Sequence, residues 1–395
     1  MANRRMKVFI AGGGVAGIEA LLALRDLAGD RVDVTLTAPK SEFIYKPLTV
    51  EEPFSPEPAP RLELEALVSE AGGTFIQKGL RCIDADRRVA ELDDGISVDF
   101  DAAIVCVGAK LRIAFGHAAT LRTSGEPIDI DALLRQAAEH ESGRIVFIVP
   151  PTGSWPLPVY ELALMAERRA RMLSLHVQIT IMTPEPEPLS VFGHIASDAV
   201  SSLLATRRIE VRTGARAHEG ADGSIVLDPW QERLDAGAVV ALPELEGPAL
   251  PGLPADDRGF IPIDEHARVR GLSGVYAAGD GTNFPIKHGG LGTQQADAAA
   301  EEIAAQAGAS VEPAPFHPVM RGKLITGDES LNLQADIAGG GGEGVSSLDY
   351  LWWPPQKIAG KYLSAQLGGR TPHSFGPPPE HGIEVEVSLG ADWPP

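Results

Sequence analysis

The sequence predicts an α/β protein of two doubly wound units followed by a C-terminal interface region. Three observations predict it: a glycine-rich turn between an apolar strand and a helical pattern at 8–24, a second strand–helix–strand run from 144, and a late strand ending in a turn at 274–290. The expected divisions are 1–110 for the first part of the leading unit, 111–245 for an inserted unit, 246–310 for the return to the leading unit, and 311–395 for the interface region and tail.

The leading turn reads VFIAGGGVAGIEALLAL, with Gly12, Gly14 and Gly17 in G-x-G-x-x-G spacing. Gly12 permits the tight exit from the strand, Gly14 lets backbone approach a pyrophosphate, and Gly17 lets the helix pack closely. The helix then turns its N–H groups and the positive end of its dipole toward phosphate. Ile18, Leu21, Leu22 and Ala28 supply the apolar face that buries it. Glycines also serve plain turns, but the strand before and the helix after favour dinucleotide binding. The late segment, GVYAAGDGTNFPIKHGG, is a short strand ending in Gly279-Asp280. Either segment alone is a weak signal; the pair points to FAD.

One part of the pattern is missing. A carboxylate about 20 residues beyond the glycines commonly bonds a ribose hydroxyl. Here the second strand, VDVTLT (32–37), ends in Ala38-Pro39-Lys40-Ser41, and Asp33 lies inside the strand. Backbone and Ser41, or a less standard arrangement, must hold the adenosine end.

After that strand, EFIYKPLTVEEPFSPEPAP is kept largely irregular by its prolines. A helix at about 62–71, a strand near FIQKGL, a hairpin-like stretch to Phe100 and the strand AAIVCVG, closing at Gly108, complete this part. The inserted unit runs from RIVFIVP through the helix ELALMAERRARML and the strand VQITIMT to the turn PEPEPL, then IEVRTGA and AGAVVAL. GPALPGLPADDRGF reads as the linker back. Beyond 311, AGGGGEG (338–344) reads as a flexible connection before DYLWWPPQKIAGKYLSAQL (349–367) and a proline-rich tail.

With 395 residues the chain is long enough for two or three domains. Its 44% hydrophobic and 22% charged residues suit a globular protein in water. A net charge of −20 disfavours nucleic acid and anionic membranes as partners. The start, MANRRMKVFIAGGG, has no signal-peptide pattern, and no run approaches the ~20 apolar residues of a membrane span, so a cytoplasmic location is the default. Cys82 and Cys106 have neither disulfide-framework nor metal spacing; Cys106, in AAIVCVGA, reads as an inert core thiol.

The motifs GGGVAG, IVCVGA and YAAGD, in this order around an inserted unit, resemble the two-dinucleotide-binding-domain flavoproteins of the pyridine nucleotide-disulfide oxidoreductase superfamily. Over residues 6–310 the chain looks most like sulfide:quinone oxidoreductases, flavocytochrome c flavoproteins and type II NADH dehydrogenases. The resemblance implies two Rossmann-like units. It places Gly108 against the cofactor and Asp280 on the ribityl chain. It sets backbone N–H groups of Lys287, His288, Gly289 and Gly290 at the flavin pyrimidine edge, and backbone near Leu80 at the adenine. Glu161 matches a glutamate that faces the flavin near the quinone site in the NADH dehydrogenases; its plain alternative is helix-start electrostatics. Tyr160 would lie near the flavin ring or fill core. A helix N-terminus after KHGG can stabilise negative charge on a flavin, and His288 at that turn is either a hydrogen-bond donor and proton shuttle or a structural histidine.

The departures are informative. The C-x-x-x-x-C pair of the disulfide reductases is replaced by EFIYKPL, and the C-terminal half has no cysteine, against the sulfide oxidising pattern. Where NAD(P)H-binding members carry a second glycine fingerprint, this chain has VPPTGSWPLPVYELAL: Pro150, Pro151, Pro156, Pro158 and Trp155 leave only Gly153. Proline removes N–H donors and tryptophan adds bulk, both unsuited to a pyrophosphate. NAD(P)H binding therefore stays open. In 349–367, Ile358, Ala359, Tyr362, Leu363 and Leu367 would share one helical face beside Lys357 and Lys361, after Trp352-Trp353. That face reads as core packing or a homodimer contact ahead of a peripheral membrane anchor.

The leading functional expectation is an FAD-dependent oxidoreductase carrying electrons from a small-molecule two-electron donor to a quinone or other acceptor, without a redox-active cysteine pair. Its alternatives are a type II NAD(P)H dehydrogenase and a non-catalytic flavin-binding partner subunit. Glu161 and His288 are the candidate catalytic residues.

Overall fold

A computed structural model describes residues 4–121, 127–152, 155–336, 344–352 and 354–368. Strand β1 (Met6–Ala11) passes through the glycine turn into helix α1 (Val15–Ala28), and β2 (Val32–Thr37) returns beside it. Helix α2 (Leu64–Glu70), strand β3 (Thr74–Ile76) and strand β4 (Ala102–Val105) follow. The second unit comprises α3 (Ile130–Glu139), β5 (Arg144–Ile148), α4 (Leu157–Met172), β6 (Gln178–Met182), α5 (His194–Thr206), β7 (Glu210–Arg212) and β8 (Ala238–Ala241). Strand β9 (Val275–Ala277) and helix α6 (Gly289–Gln306) then rejoin the first.

Both main sheets are parallel and share one plan. The first has the order β3-β2-β1-β4-β9; the second runs β7-β6-β5-β8 with the short strand Ala119–Thr120 at its edge. Parallel strands need cover on both faces, which is why β1 and β5 read as unbroken apolar runs. Phe9, Ile10, Ile145 and Phe147 are fully buried accordingly. Helices α1 and α6 pack through alanines: Ala16, Ala20 and Ala23 share a core with Ala296, Ala299 and Ala300.

The chain leaves and re-enters the first unit at one place. Lys110–Arg112 pairs antiparallel with Glu244–Glu246, and Arg112 bridges to Glu244 and Glu246. The segment read as a linker, 247–260, thus follows directly on half of a ribbon.

Some elements were not anticipated, and one further expectation needs correction. Helix α5 and the C-terminal strands β10 (Val319–Leu324), β11 (Leu331–Asp336) and β12 (Val345–Ser347) were not anticipated. The β10–β11 hairpin buries alternate residues Met320, Leu324, Leu333 and Ala335 in the same core as α4. The flexible connection expected at 338–344 lies, but for Gly344, outside the described residues.

The segment 349–367 does not form one amphipathic helix; only Leu363–Gly368 (α7) is helical. Pro354 and Pro355 cannot donate helical hydrogen bonds, and the Ile358 N–H is bound by the Tyr45 hydroxyl at 2.7 Å. Ile358, Leu363 and Leu367 are buried in the core around α1 and α6, so the apolar face serves internal packing. Ala359 and Tyr362 are only partly buried, and Trp353 is outside the described residues. Among the described residues no helix is long and apolar enough to cross a membrane.

Candidate active site

The leading turn is built by close backbone approach. Gly12 has φ +122°, and a Cβ there would lie 2.2 Å from the Cys106 carbonyl oxygen. A Cβ on Gly17 would lie 1.8 Å from the Gly12 carbonyl. Gly14 is the reverse: it caps α1, and a Cβ there would meet nothing within 4 Å. Two glycines are therefore required by the protein itself, while Gly14 faces open space at a helix N-terminus.

The late segment closes against this turn. Gly279, at φ +85°, lies over Ala16 of α1, and Gly292 of α6 presses on the Gly279 backbone, with a built Cβ 3.0 Å from its Cα. Gly279 N donates to Gln295 Oε1 at 2.8 Å, fixing the turn to α6. A Cβ on Gly281 would lie 3.0 Å from the Gly108 carbonyl, and Gly108 itself (φ +76°) faces open space. The N-terminus of α1, the end of β4 and the turn before α6 thus meet around one cleft. Leu80 opens an antiparallel hairpin whose side chains pack on the face of the first sheet that carries Phe9.

Asp280 sits in the turn at this junction, only partly exposed and largely desolvated. Desolvation raises its carboxyl above the usual range, and only the charges of Lys287 and Lys46 counter that. No hydrogen-bond donor reaches it among the described residues. Lys287 is buried; its ammonium donates to the Thr282 carbonyl and lies 3.7 Å from the centre of the Phe260 ring. Burial pushes its pKa down to about 8, with Asp280 and Asp256 opposing the shift.

His288 caps α6 through its backbone, and its ring is buried. Its Nδ1 has no hydrogen-bond partner, and Trp155 lies 4.6 Å away, centre to centre. Desolvation pushes the imidazole down to about 4, with a backbone hydrogen bond to Arg321 opposing the shift. Gly289 completes the turn, with a built Cβ 2.5 Å from Ile358 Cδ1.

Glu161 lies beyond the first turn of α4, which contains no acidic residue, so helix-start electrostatics does not account for it. It is fully buried. Oε1 accepts the Ile325 N–H at 2.9 Å and Oε2 accepts from Lys357 Nζ at 2.6 Å. Desolvation raises its pKa, Lys357 lowers it, and the charge of Glu51 adds to the rise. Lys357 also repels a proton on His288, which ties Glu161, Lys357 and the α6 turn into one electrostatic neighbourhood. Lys357 carried no local signal in the sequence. The segment holding it is fastened by Glu19 of α1, whose carboxylate accepts the Tyr362 and Leu363 N–H groups at 2.8 and 2.7 Å.

In the inserted unit, Tyr160 fills core and does not face the cleft; its hydroxyl donates to Glu185 Oε2 at 2.8 Å, as does Thr183 Oγ1. Glu185, three residues beyond β6, is held up at about 7 by burial against these donors. Between the units a cavity of about 390 Å³ is walled by the prolines and Trp155 after β5, by Pro184, Glu185, Ser190 and Val191, and by Pro285, Ile286 and Lys287. Gly153 is outside the described residues.

The cysteines are remote from one another in role. Cys106 is buried and its thiol is pushed up to about 12; Cys82 lies half-buried in the antiparallel hairpin, and both are free. Among the described residues no group of His, Cys, Asp and Glu could hold a metal ion.

The profile of the pyridine nucleotide-disulphide oxidoreductase family matches residues 160–302, from the Tyr160–Glu161 pair into α6. Rhodocoxin reductase of Rhodococcus erythropolis is 25% identical over 305 residues, 71% of this chain and 66% of its own length, just under two thirds. A type II NADH:quinone oxidoreductase of Staphylococcus aureus is 23% identical over 317 residues, 72% of this chain and 76% of its own. The solved sulfide:quinone oxidoreductase of Aquifex aeolicus superposes with a TM-score of 0.77 at 19% identity, covering 87% of this chain and 86% of that one. Such low identity speaks to fold alone. Profile, relatives and fold agree with what the glycine turns imply: residues 160–302 match the pyridine nucleotide-disulphide oxidoreductase family, whose members bind FAD, and the chain has the two-domain fold of such flavoproteins.

Proposed function

We propose that the chain is an FAD-dependent oxidoreductase that moves an electron pair from a small-molecule donor to a quinone or other acceptor without a cysteine pair. The observation that carries this reading is Asp280: a largely desolvated carboxylate with no hydrogen-bond donor among the described residues, in the turn beside Gly14 and Gly108, each of which leaves open space. A ribityl hydroxyl is the kind of donor Asp280 lacks. FAD, when bound, supplies the redox chemistry.

The protein's own residues do the rest. Gly12, Gly14 and Gly17 bring α1's N–H groups to the pyrophosphate. Backbone near Leu80 meets the adenine, and Gly108 lies against the cofactor. Lys287, His288 and Gly289 present the start of α6 to the pyrimidine edge, where the dipole and the Lys287 charge favour negative charge. Glu161 holds or yields a proton beside Lys357, whose ammonium opposes the rise that burial imposes on the carboxyl. His288, neutral and buried, positions this turn.

A nicotinamide donor fits less well, because Glu185, three residues beyond the second strand of the inserted unit and near where a ribose-binding carboxylate belongs, is already bonded by Tyr160 and Thr183. Anaerobic titration of the purified protein with NADH and NADPH, followed at the visible flavin band, tests both readings. A yellow protein that does not bleach supports the proposal; rapid bleaching at low nicotinamide replaces it with the dehydrogenase. Colourless protein that gains no flavin from added FAD refutes both.

A further inference from the structure

The cavity between the units is made of parts that do not suit a dinucleotide. Pro150, Pro151 and Pro156 line it without an N–H among them, and Trp155, Val191 and Ile286 add apolar wall. Its two charged lining residues are both engaged elsewhere. Glu185 receives the Tyr160 and Thr183 hydroxyls, and the Lys287 ammonium is turned to the Thr282 carbonyl and the Phe260 ring. Among the described lining residues Lys287 is the one cation, and its ammonium is already committed.

What remains is an aromatic slot. Trp155 is held edge-on to Phe192 at 5.6 Å and tilted against His288 at 4.6 Å, so its indole is a fixed surface. Rigid aromatic walls reward a planar partner through offset or edge-to-face stacking. A cavity of about 390 Å³ lies near the lower end of the range used for small ligands. Burying a charged partner against proline and tryptophan would cost desolvation with no counter-ion to offset it.

We propose that this cavity binds a compact, uncharged, planar ring compound of one or two fused rings, in preference to a nicotinamide dinucleotide. The functional meaning of the site rests on the flavin reading, but its occupancy does not.

Isothermal titration of the flavin-loaded protein with neutral 2-naphthol, anionic 2-naphthoate and NADH tests this. The expected order is 2-naphthol at least about tenfold tighter than 2-naphthoate, with NADH weaker still. Trp155→Ala should weaken 2-naphthol about tenfold or more. Val191→Phe, which adds bulk to the lining, should do the same should the tryptophan variant fail to fold. Pro151→Asp, at an exposed rim position, should widen the gap between naphthol and naphthoate. Equal or tighter binding of naphthoate or NADH, or naphthol binding indifferent to both slot variants, would overturn the proposal. Flavin absorbance, recorded on the same samples, reports the other site separately: its loss counts against the FAD reading and leaves the binding order to be judged alone.

Discussion

Lys357 Nζ donates to Glu161 Oε2 at 2.6 Å, joining positions 196 residues apart inside the protein. Both side chains are almost wholly buried, at 7% and 0% exposure, so neither charge has water as a substitute partner. Pairs of this kind contribute little net stability against a hydrophobic replacement, but breaking one is costly.

Lys357→Met should therefore destabilise the protein by about 3–5 kcal/mol at pH 8, read from urea unfolding. The double variant Lys357→Met, Glu161→Gln should recover most of that loss. The sign with pH is set by Glu161, whose folded pKa is raised and rises further without the ammonium. Stability is then fullest below the unfolded carboxyl pKa and falls as pH climbs through the folded one. A Lys357→Met protein that gains stability on going from pH 5 to pH 8 would contradict this account.

Gly14 and Gly17 should separate binding from folding. Gly14→Leu meets open space, so stability should hold within about 1 kcal/mol while bound FAD is lost. Gly17→Ala drives a Cβ into the Gly12 carbonyl and should lower the melting temperature as well. Retained yellow colour in the Gly14 variant would sink the proposed pyrophosphate site.

Glu185 should leave a pH signature on stability. Its folded pKa of about 7 lies above the ordinary carboxyl value, so folding favours its protonated form. Stability should decline between about pH 4.5 and 7 by roughly 3 kcal/mol from this group. In Glu185→Gln the urea midpoint should be flatter over that window. An unchanged slope would show that the carboxyl is better solvated than its burial implies.

Cys82→Ser and Cys106→Ser should each take up a single electron pair per FAD in anaerobic dithionite titration, as the parent does. Cys106→Ser should still lose about 1–3 kcal/mol, because a hydroxyl replaces a thiol in a dry strand end. A second electron pair in the parent, missing from either variant, would reinstate thiol chemistry.

What was legible depended on distance along the chain. Gly12, Gly14 and Gly17 announce themselves within six residues, because turn, cradle and close packing are all local demands. The β1 and β5 strands were equally plain, since burial on both faces writes an unbroken apolar run. Lys357 and Glu19 could not be read this way. One meets its partner across 196 residues and the other binds backbone 343 residues away. The expected helix over 349–367 failed because its apolar spacing was real but answered to the core around α1, with Tyr45 and Glu19 taking the N–H groups a helix needs. Glu185 was hidden for a different reason: its ordinary position just beyond a strand conceals that Tyr160 has already claimed it.

The ribbon of Lys110–Arg112 against Glu244–Glu246 has a consequence for how this architecture can vary. Because departure and return are hydrogen-bonded neighbours, everything between them closes a loop whose ends are already joined. Loop-closure entropy grows only slowly with length, each doubling costing about 0.6 kcal/mol. Length alone therefore adds little cost, whereas the contacts of Glu161 with Lys357 and of Trp155 with His288 tie the inserted unit to the rest. A fold hinged in this way can change the partner it admits from that side while keeping its first glycine turn intact.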